Sequence, residues 1–217
     1  MADGEGNLVM LGAAALVVAL LVPPAARADR EEFYTLVEVS PLFMRLETPV
    51  AATTANTSAT GIAAGATIYY GLTNTLHVGG AVHYEVTRNA SFEGTTVTLN
   101  GGTSSHGTLY EDTSAISLTM VGAYRFDLGP HLVPVAQLEM GVASLSYSNI
   151  AHFDGSTGVA FPYADRSQAV VEIRGQLRAE YRYGDHWAAG AGIGAVIHPG
   201  ALNPWSLYLP VSVGYVW

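Results

Sequence analysis

Cysteine and lysine are both missing from the 217-residue sequence, and only 12% of its residues are charged, against roughly 25% in an ordinary soluble domain. Without cysteine there is no disulfide framework, no thiolate nucleophile and no thiolate ligand for zinc or an iron–sulfur cluster. The nine basic residues are all arginine and face 18 acids, for a formal net charge of -9. A broad basic face that neutralises phosphates is therefore excluded, and nucleic acid is not an expected partner. Beyond Asp29 no window places apolar residues at three- and four-residue spacing, so no amphipathic helix is expected either.

What is present begins with an uncharged run from Leu8 to Val22, two prolines, and the small-residue pattern Ala26-Arg27-Ala28. Residues 1–28 read as an export signal cleaved before Asp29, although Asp3 and Glu5 stand where such signals usually start basic. The run is shorter than the roughly 20 residues of a membrane helix. Residues 29–217 form the expected mature domain.

In that domain apolar residues recur with a period of two, the signature of strands whose side chains alternate faces. In the segment Ala169 to Tyr183, one face carries Val171, Ile173, Gly175, Leu177, Ala179, Tyr181 and Tyr183, and the other Glu172, Arg174, Gln176, Arg178, Glu180 and Arg182. Comparable segments run from Leu76 to Val86, Ile116 to Phe126, Leu132 to Val142, Trp187 to Ile197 and Trp205 to Trp217, with less regular ones over Gly61 to Leu72 and Phe33 to Glu47. Short connections at Thr73-Asn74, Asp127 to Pro130 and Gly184 to His186 alternate with long polar ones near Val50 to Thr60, Asn89 to Asp112, Asn149 to Ser167 and His198 to Pro204. Eight strands with tight turns at one end and long loops at the other predict an all-β, eight-stranded antiparallel up-and-down transmembrane barrel.

Alternation alone does not say which face is outside. Eight strands enclose an interior just wide enough for side chains, and here the small residues Gly190, Gly192 and Gly194 share the face of the charges. An arginine facing lipid near the bilayer midplane costs about 2–4 kcal/mol. The expected lumen therefore holds Arg125, Arg174, Arg178 and Arg182 with Glu38, Glu85, Glu139, Glu172 and Glu180, paired across a plugged interior, together with His77 and His83. Aromatics such as Tyr69, Tyr70, Tyr84, Tyr124, Phe126, Tyr181, Tyr183, Trp187, Trp205, Tyr215 and Trp217 are expected toward strand ends, at the membrane interfaces.

The final strand, Val211-Ser212-Val213-Gly214-Tyr215-Val216-Trp217, and the stretch from Tyr69 to Val86 resemble those of small bacterial outer-membrane barrels, namely the outer membrane protein A transmembrane domain and the outer membrane protein W group. The resemblance covers about Phe33 to Trp217. It implies a bacterial outer-membrane location, contact with outer-membrane lipid and lipopolysaccharide, and a terminal strand whose Val213, Tyr215 and Trp217 are read by the barrel-insertion machinery. Trp217 stands where phenylalanine is commoner.

Catalysis needs a nucleophile and a base held together. His106 with Ser104 and Ser105, or His152 with Ser148 and Asp154, supplies the residue types but not the His-x-Ser pattern of the lipid A deacylases, and loop decoration is the expected reading. His77, His83 and Glu85 share a face without a third converging group placed by the sequence, so a lumen network is expected there and not a metal site. The glycines from Gly190 to Gly194 have no following helix or lysine, which excludes a phosphate loop. Glu93, Glu111, Asp112, Asp154 and Asp165 read as solvated loop acids. The expectation is a protein with no enzymatic role and no cofactor, whose surface loops serve structural or adhesive contacts. A narrow channel or lateral path for small apolar molecules, a lipid A-modifying enzyme and a soluble lipocalin-like carrier follow in that order.

Overall fold

The computed structural model describes residues 32–47, 56–98, 104–126, 131–183, 186–199 and 205–217; the expected export segment lies outside them. Ten strands follow in order: β1 (Phe33–Glu47), β2 (Asn56–Gly71), β3 (Leu76–Thr98), β4 (Ser104–Arg125), β5 (Leu132–Asp154), β6 (Ala160–Pro162), β7 (Arg166–Tyr183), β8 (Trp187–Ile197), β9 (Trp205–Tyr208) and β10 (Val211–Val216). All pairings are antiparallel. β1 to β5 pair in sequence order, β5 pairs β7, and β7 pairs β8. β9 and β10 both lie between β8 and β1, closing the ring. They are two halves of one wall strand, broken at Leu209 and Pro210. Proline has no N–H to give the ladder, yet its carbonyl still accepts the Gly192 N–H at 3.0 Å. The ring is an eight-stranded barrel, as the alternation predicts.

The apolar face lies on the perimeter. Leu177 is 62% exposed while its neighbours Gln176 and Arg178 are 3% and 4% exposed. Leu118, Met120, Leu138, Met140, Val142, Val171 and Val213 are likewise outward. Ring contacts gather at the tight-turn end, where Phe33 meets Tyr70, Tyr124 meets Phe126, and Tyr215 lies between Trp187 and Trp217 at 4.9 Å from each. Tyr69 departs from that expectation: it is 1% exposed and points inward, because the outward position at this level is taken by Tyr70.

The loop ends of β3, β4 and β5 run well past the predicted boundaries, so much of the expected Asn89 to Asp112 and Asn149 to Ser167 loops is strand. The period of two was hidden there by bulges in β3, between Thr87 and Ala90 and between Phe92 and Thr95, and in β5, between Ser148 and Ala151. Each extra residue moves the following side chains to the opposite face.

Candidate functional site

The charged faces of the strands converge inside the ring, in a layer flanked by apolar residues at both ends. Toward the turn end lie Tyr34, Leu36, Ala81, Val121, Val133 and Val135. Toward the loop end lie Leu42, Met44, Leu46, Phe92, Leu109, Leu145, Ile150 and Val196. Leu42, Met44 and Leu46 of β1 make this end greasier than the sequence reading of a polar lumen.

Between these layers Arg174 donates to Glu85 at 2.6 Å and to Glu172 at 3.2 Å. Glu172 also receives Ser117 at 2.9 Å and lies 3.0 Å from His198 Nε2. Glu180 receives Arg178 at 2.7 Å and also Arg125. Arg178 reaches Gln137 and, at 3.1 Å, the Tyr69 hydroxyl. The Gln137 amide donates to Glu139 at 2.6 Å; Glu139 in turn receives Thr119 at 2.5 Å and lies 2.7 Å from His83 Nε2. Glu38, 3.8 Å from His83 Nδ1, receives Gln176 at 3.2 Å. All five expected glutamates are thus engaged, with three of the four expected arginines.

Two expected members stand apart. Arg182, half-buried at the turn end, makes no ion pair among the described residues, and its Nε has no partner. His77 is buried, but its Nδ1 is unpartnered and it does not join His83 and Glu85. No group of three or more histidines and acids among the described residues is placed to hold a metal ion.

The sequence reading missed His198, assigned to a loop, and three tyrosines. Arg125 lies over the Tyr34 ring at 4.6 Å, Arg174 over Tyr208 at 5.0 Å and Arg178 over Tyr69 at 5.6 Å. Each guanidinium so gains a π face as well as a carboxylate. The glycine track makes room for rings as much as for arginines. A Cβ on Gly194 would overlap the Tyr208 ring, and one on Gly214 the Tyr34 ring. The void bounded by Tyr34, Tyr69, His77, Arg125 and Arg178 has no room for a water molecule.

At the loop end the structure brings together residues that the sequence offered in two separate groups. Ser105 lies 3.0 Å from His152 Nε2 and donates its hydroxyl proton to Asp154. In a catalytic triad the acid holds the histidine and the histidine takes the serine proton. Here the acid holds the serine, His152 Nδ1 has no partner, and burial pushes the His152 pKa down. Asp154 is also occupied by the following turn, accepting the Ser156 and Thr157 N–H groups at 2.9 and 2.8 Å. These hydrogen bonds, led by that from Ser105, hold its carboxyl well below the usual range, which makes it a poor base.

The expected solvated acids also divide. Asp112 is fixed by Asn89 and Asn149, and Glu111 is 1% exposed; it falls in phase with Leu109, Thr113 and Ala115 on the interior face of β4, whose alternation is unbroken here.

No family model matches the sequence, and no curated protein matches it. Among solved structures, Neisserial surface protein A superposes with a TM-score of 0.54 at 15% identity, covering 84% of this chain and 96% of that one. The outer membrane protein OprG of Pseudomonas aeruginosa gives 0.46 at 12% identity, over 87% and 96% of the two chains. Ail, the attachment invasion locus protein of Yersinia pestis, gives 0.44 at 12% identity, over 85% and 98%. With its closed eight-strand ring, apolar perimeter and charged interior, the chain has the fold of the small bacterial outer-membrane β-barrel proteins, and the outer membrane is where such a surface is at home.

Proposed function

We propose that the protein is a non-enzymatic outer-membrane barrel with a plugged lumen, and that its loop-end extension serves structural or adhesive contacts with neighbouring lipopolysaccharide or protein. The observation that carries this reading is the interior layer in which Arg174, Arg178 and Arg125 are each bonded to a buried carboxylate. Ions crossing such a layer would have to break charge pairs that are costly to separate. The wiring of Ser105, His152 and Asp154 supports the absence of catalysis. Val213 projects outward and Tyr215 and Trp217 are half-buried, a display suited to recognition by the insertion machinery. Planar-bilayer recording tests the reading: the wild-type protein is expected to give no stable unitary current. Steady openings that grow in Arg178→Ala would overturn it.

One observation favours a lateral path for small apolar molecules as the second reading. Pairing of β2 with β3 stops at Gly61 and Thr87, although β2 continues to Asn56 and β3 to Thr98. The wall divides there beside the apolar loop-end layer. Retarded uptake of a small alkane on deletion, restored by the intact protein, would support this path over the structural role. Lipid A mass spectra unchanged on overexpression are expected under both.

A further inference from the structure

Glu111 lies on the interior face of β4, between Leu109 and Thr113 on the same face. Ala90 of β3 is its register partner, and Leu109, Tyr147 and Ile150 belong with Ala90 to one apolar cluster that also includes Leu42 and Leu46 of β1. Both carboxyl oxygens are buried without a hydrogen-bond partner. Among the described residues no arginine charge acts on Glu111. Arg88 of β3 and Arg166 of β7 are exposed, as are Glu93 and Asp165. Asp112 is engaged by Asn89 and Asn149. Of the other titratable groups packed nearby, Tyr147 bonds Gln168 of β7 and its pKa is pushed up to about 12, burial disfavours the charged forms of His152 and Tyr163, and no positive group among them acts on Glu111.

We propose that Glu111 is a proton-operated latch: its neutral carboxyl holds the loop-end halves of β3, β4 and β5 on the apolar layer, and loss of the proton to solvent releases them. An ionised carboxylate in this place has no counter-charge and only the neighbouring Thr113 hydroxyl as a donor, which burial outweighs, so it is relieved when the strands part and water enters. Burial raises the Glu111 pKa from 4.5 to about 7, so the transition falls within the range a bacterial surface meets. The sign follows from linkage. The open form ionises from about 4.5 upward while the closed form keeps its proton until about 7, so opening is favoured progressively as pH rises between those limits. The full change is about 300-fold in the opening equilibrium, the equivalent of the pKa difference.

Amide hydrogen exchange on the folded protein in detergent micelles, corrected for intrinsic rates, tests the latch at about pH 5 and about pH 8. Amides of the loop-end halves of β3 to β5 are expected to open about 70-fold more at the higher pH in the wild type, the part of the full change that falls between those two pH values. They should stay level in Glu111→Gln, which keeps shape and removes the titration. Wild type and variant sharing one pH profile would overturn the proposal. So would a carbon-detected titration of the wild-type Glu111 carboxyl with its midpoint near 4.5, a measurement that stands even if the variant does not fold.

Discussion

The carboxylate of Asp112 accepts the backbone N–H of Asn89 across the β3–β4 boundary at 2.7 Å, at the point where Asn89 takes a φ of 53°. Its second oxygen accepts the side-chain amide of Asn149, which has a φ of 51° on the other neighbouring strand. One acid on β4 thus secures left-handed kinks in both flanking strands, and these kinks lie at or beside the bulges that redirect the wall. Asparagine tolerates that backbone conformation better than most residues.

Asp112→Ala is accordingly expected to cost about 1–2 kcal/mol, the loss of two hydrogen bonds to a charged acceptor that are both weakened by exposure to solvent, and to speed proteolysis between residues 88 and 98 without affecting the turn end. Asn89→Gly should be tolerated and Asn89→Val should not, since a β-branched side chain is strained at positive φ. Urea titration in micelles with limited proteolysis distinguishes these outcomes; equal stability of Asn89→Gly and Asn89→Val would refute the argument.

Arg174 is the most heavily committed interior cation, with Glu85, Glu172 and the Tyr208 ring around it. Arg174→Met leaves two buried carboxylates without their cation and is expected to destabilise the barrel by about 3–5 kcal/mol. Adding Glu85→Gln removes one stranded charge and should recover part of the loss. The measurement is a double-mutant cycle read from urea midpoints in micelles, and simple additivity of the two substitutions would contradict the pairing.

The perimeter makes the opposite demand. Leu177→Arg puts a guanidinium among outward apolar residues, where the cost is about 2–4 kcal/mol near the bilayer midplane. The same substitution would be harmless if this face were turned to water. Unfolding in lipid vesicles checks it, with Gln176→Glu as a companion that changes charge on the inner face.

Much of this was legible from residues alone. The strict alternation from Ala169 to Tyr183 determines both the strand and its orientation, because an inward Arg174 and an outward Leu177 are one decision. The inward glutamates were visible for the same reason. The loop-end extension was not legible, since the bulges around Asn89 and Gly94 reset the period and the Thr- and Ser-rich segment has no apolar face to read. Tyr208 and Tyr34 escaped notice because aromatics suit a membrane interface as well as a lumen. Only the pairing across strands reveals that Gly194 and Gly214 leave room for their rings. Ser105 and Asp154 are 49 residues apart, and no spacing rule links two loop ends that meet through register.

That last contact gives a pH prediction of the opposite sign to the Glu111 latch. Asp154 has a folded pKa depressed below the ordinary 3.8, chiefly by the hydrogen bond from Ser105 and then by those of the Ser156–Thr157 turn. A depressed carboxyl contributes order above its unfolded pKa and loses it as pH falls. Protection of the Ser156 and Thr157 amides should therefore hold at neutral pH and weaken in acid below about 3.8. Ser105→Ala should move that loss to higher pH, because the largest stabilising bond to the carboxylate is gone, while Asp154→Asn should abolish the acid step. Amide exchange followed on those two residues checks it, and an acid step that survives in Asp154→Asn would assign the effect to another group.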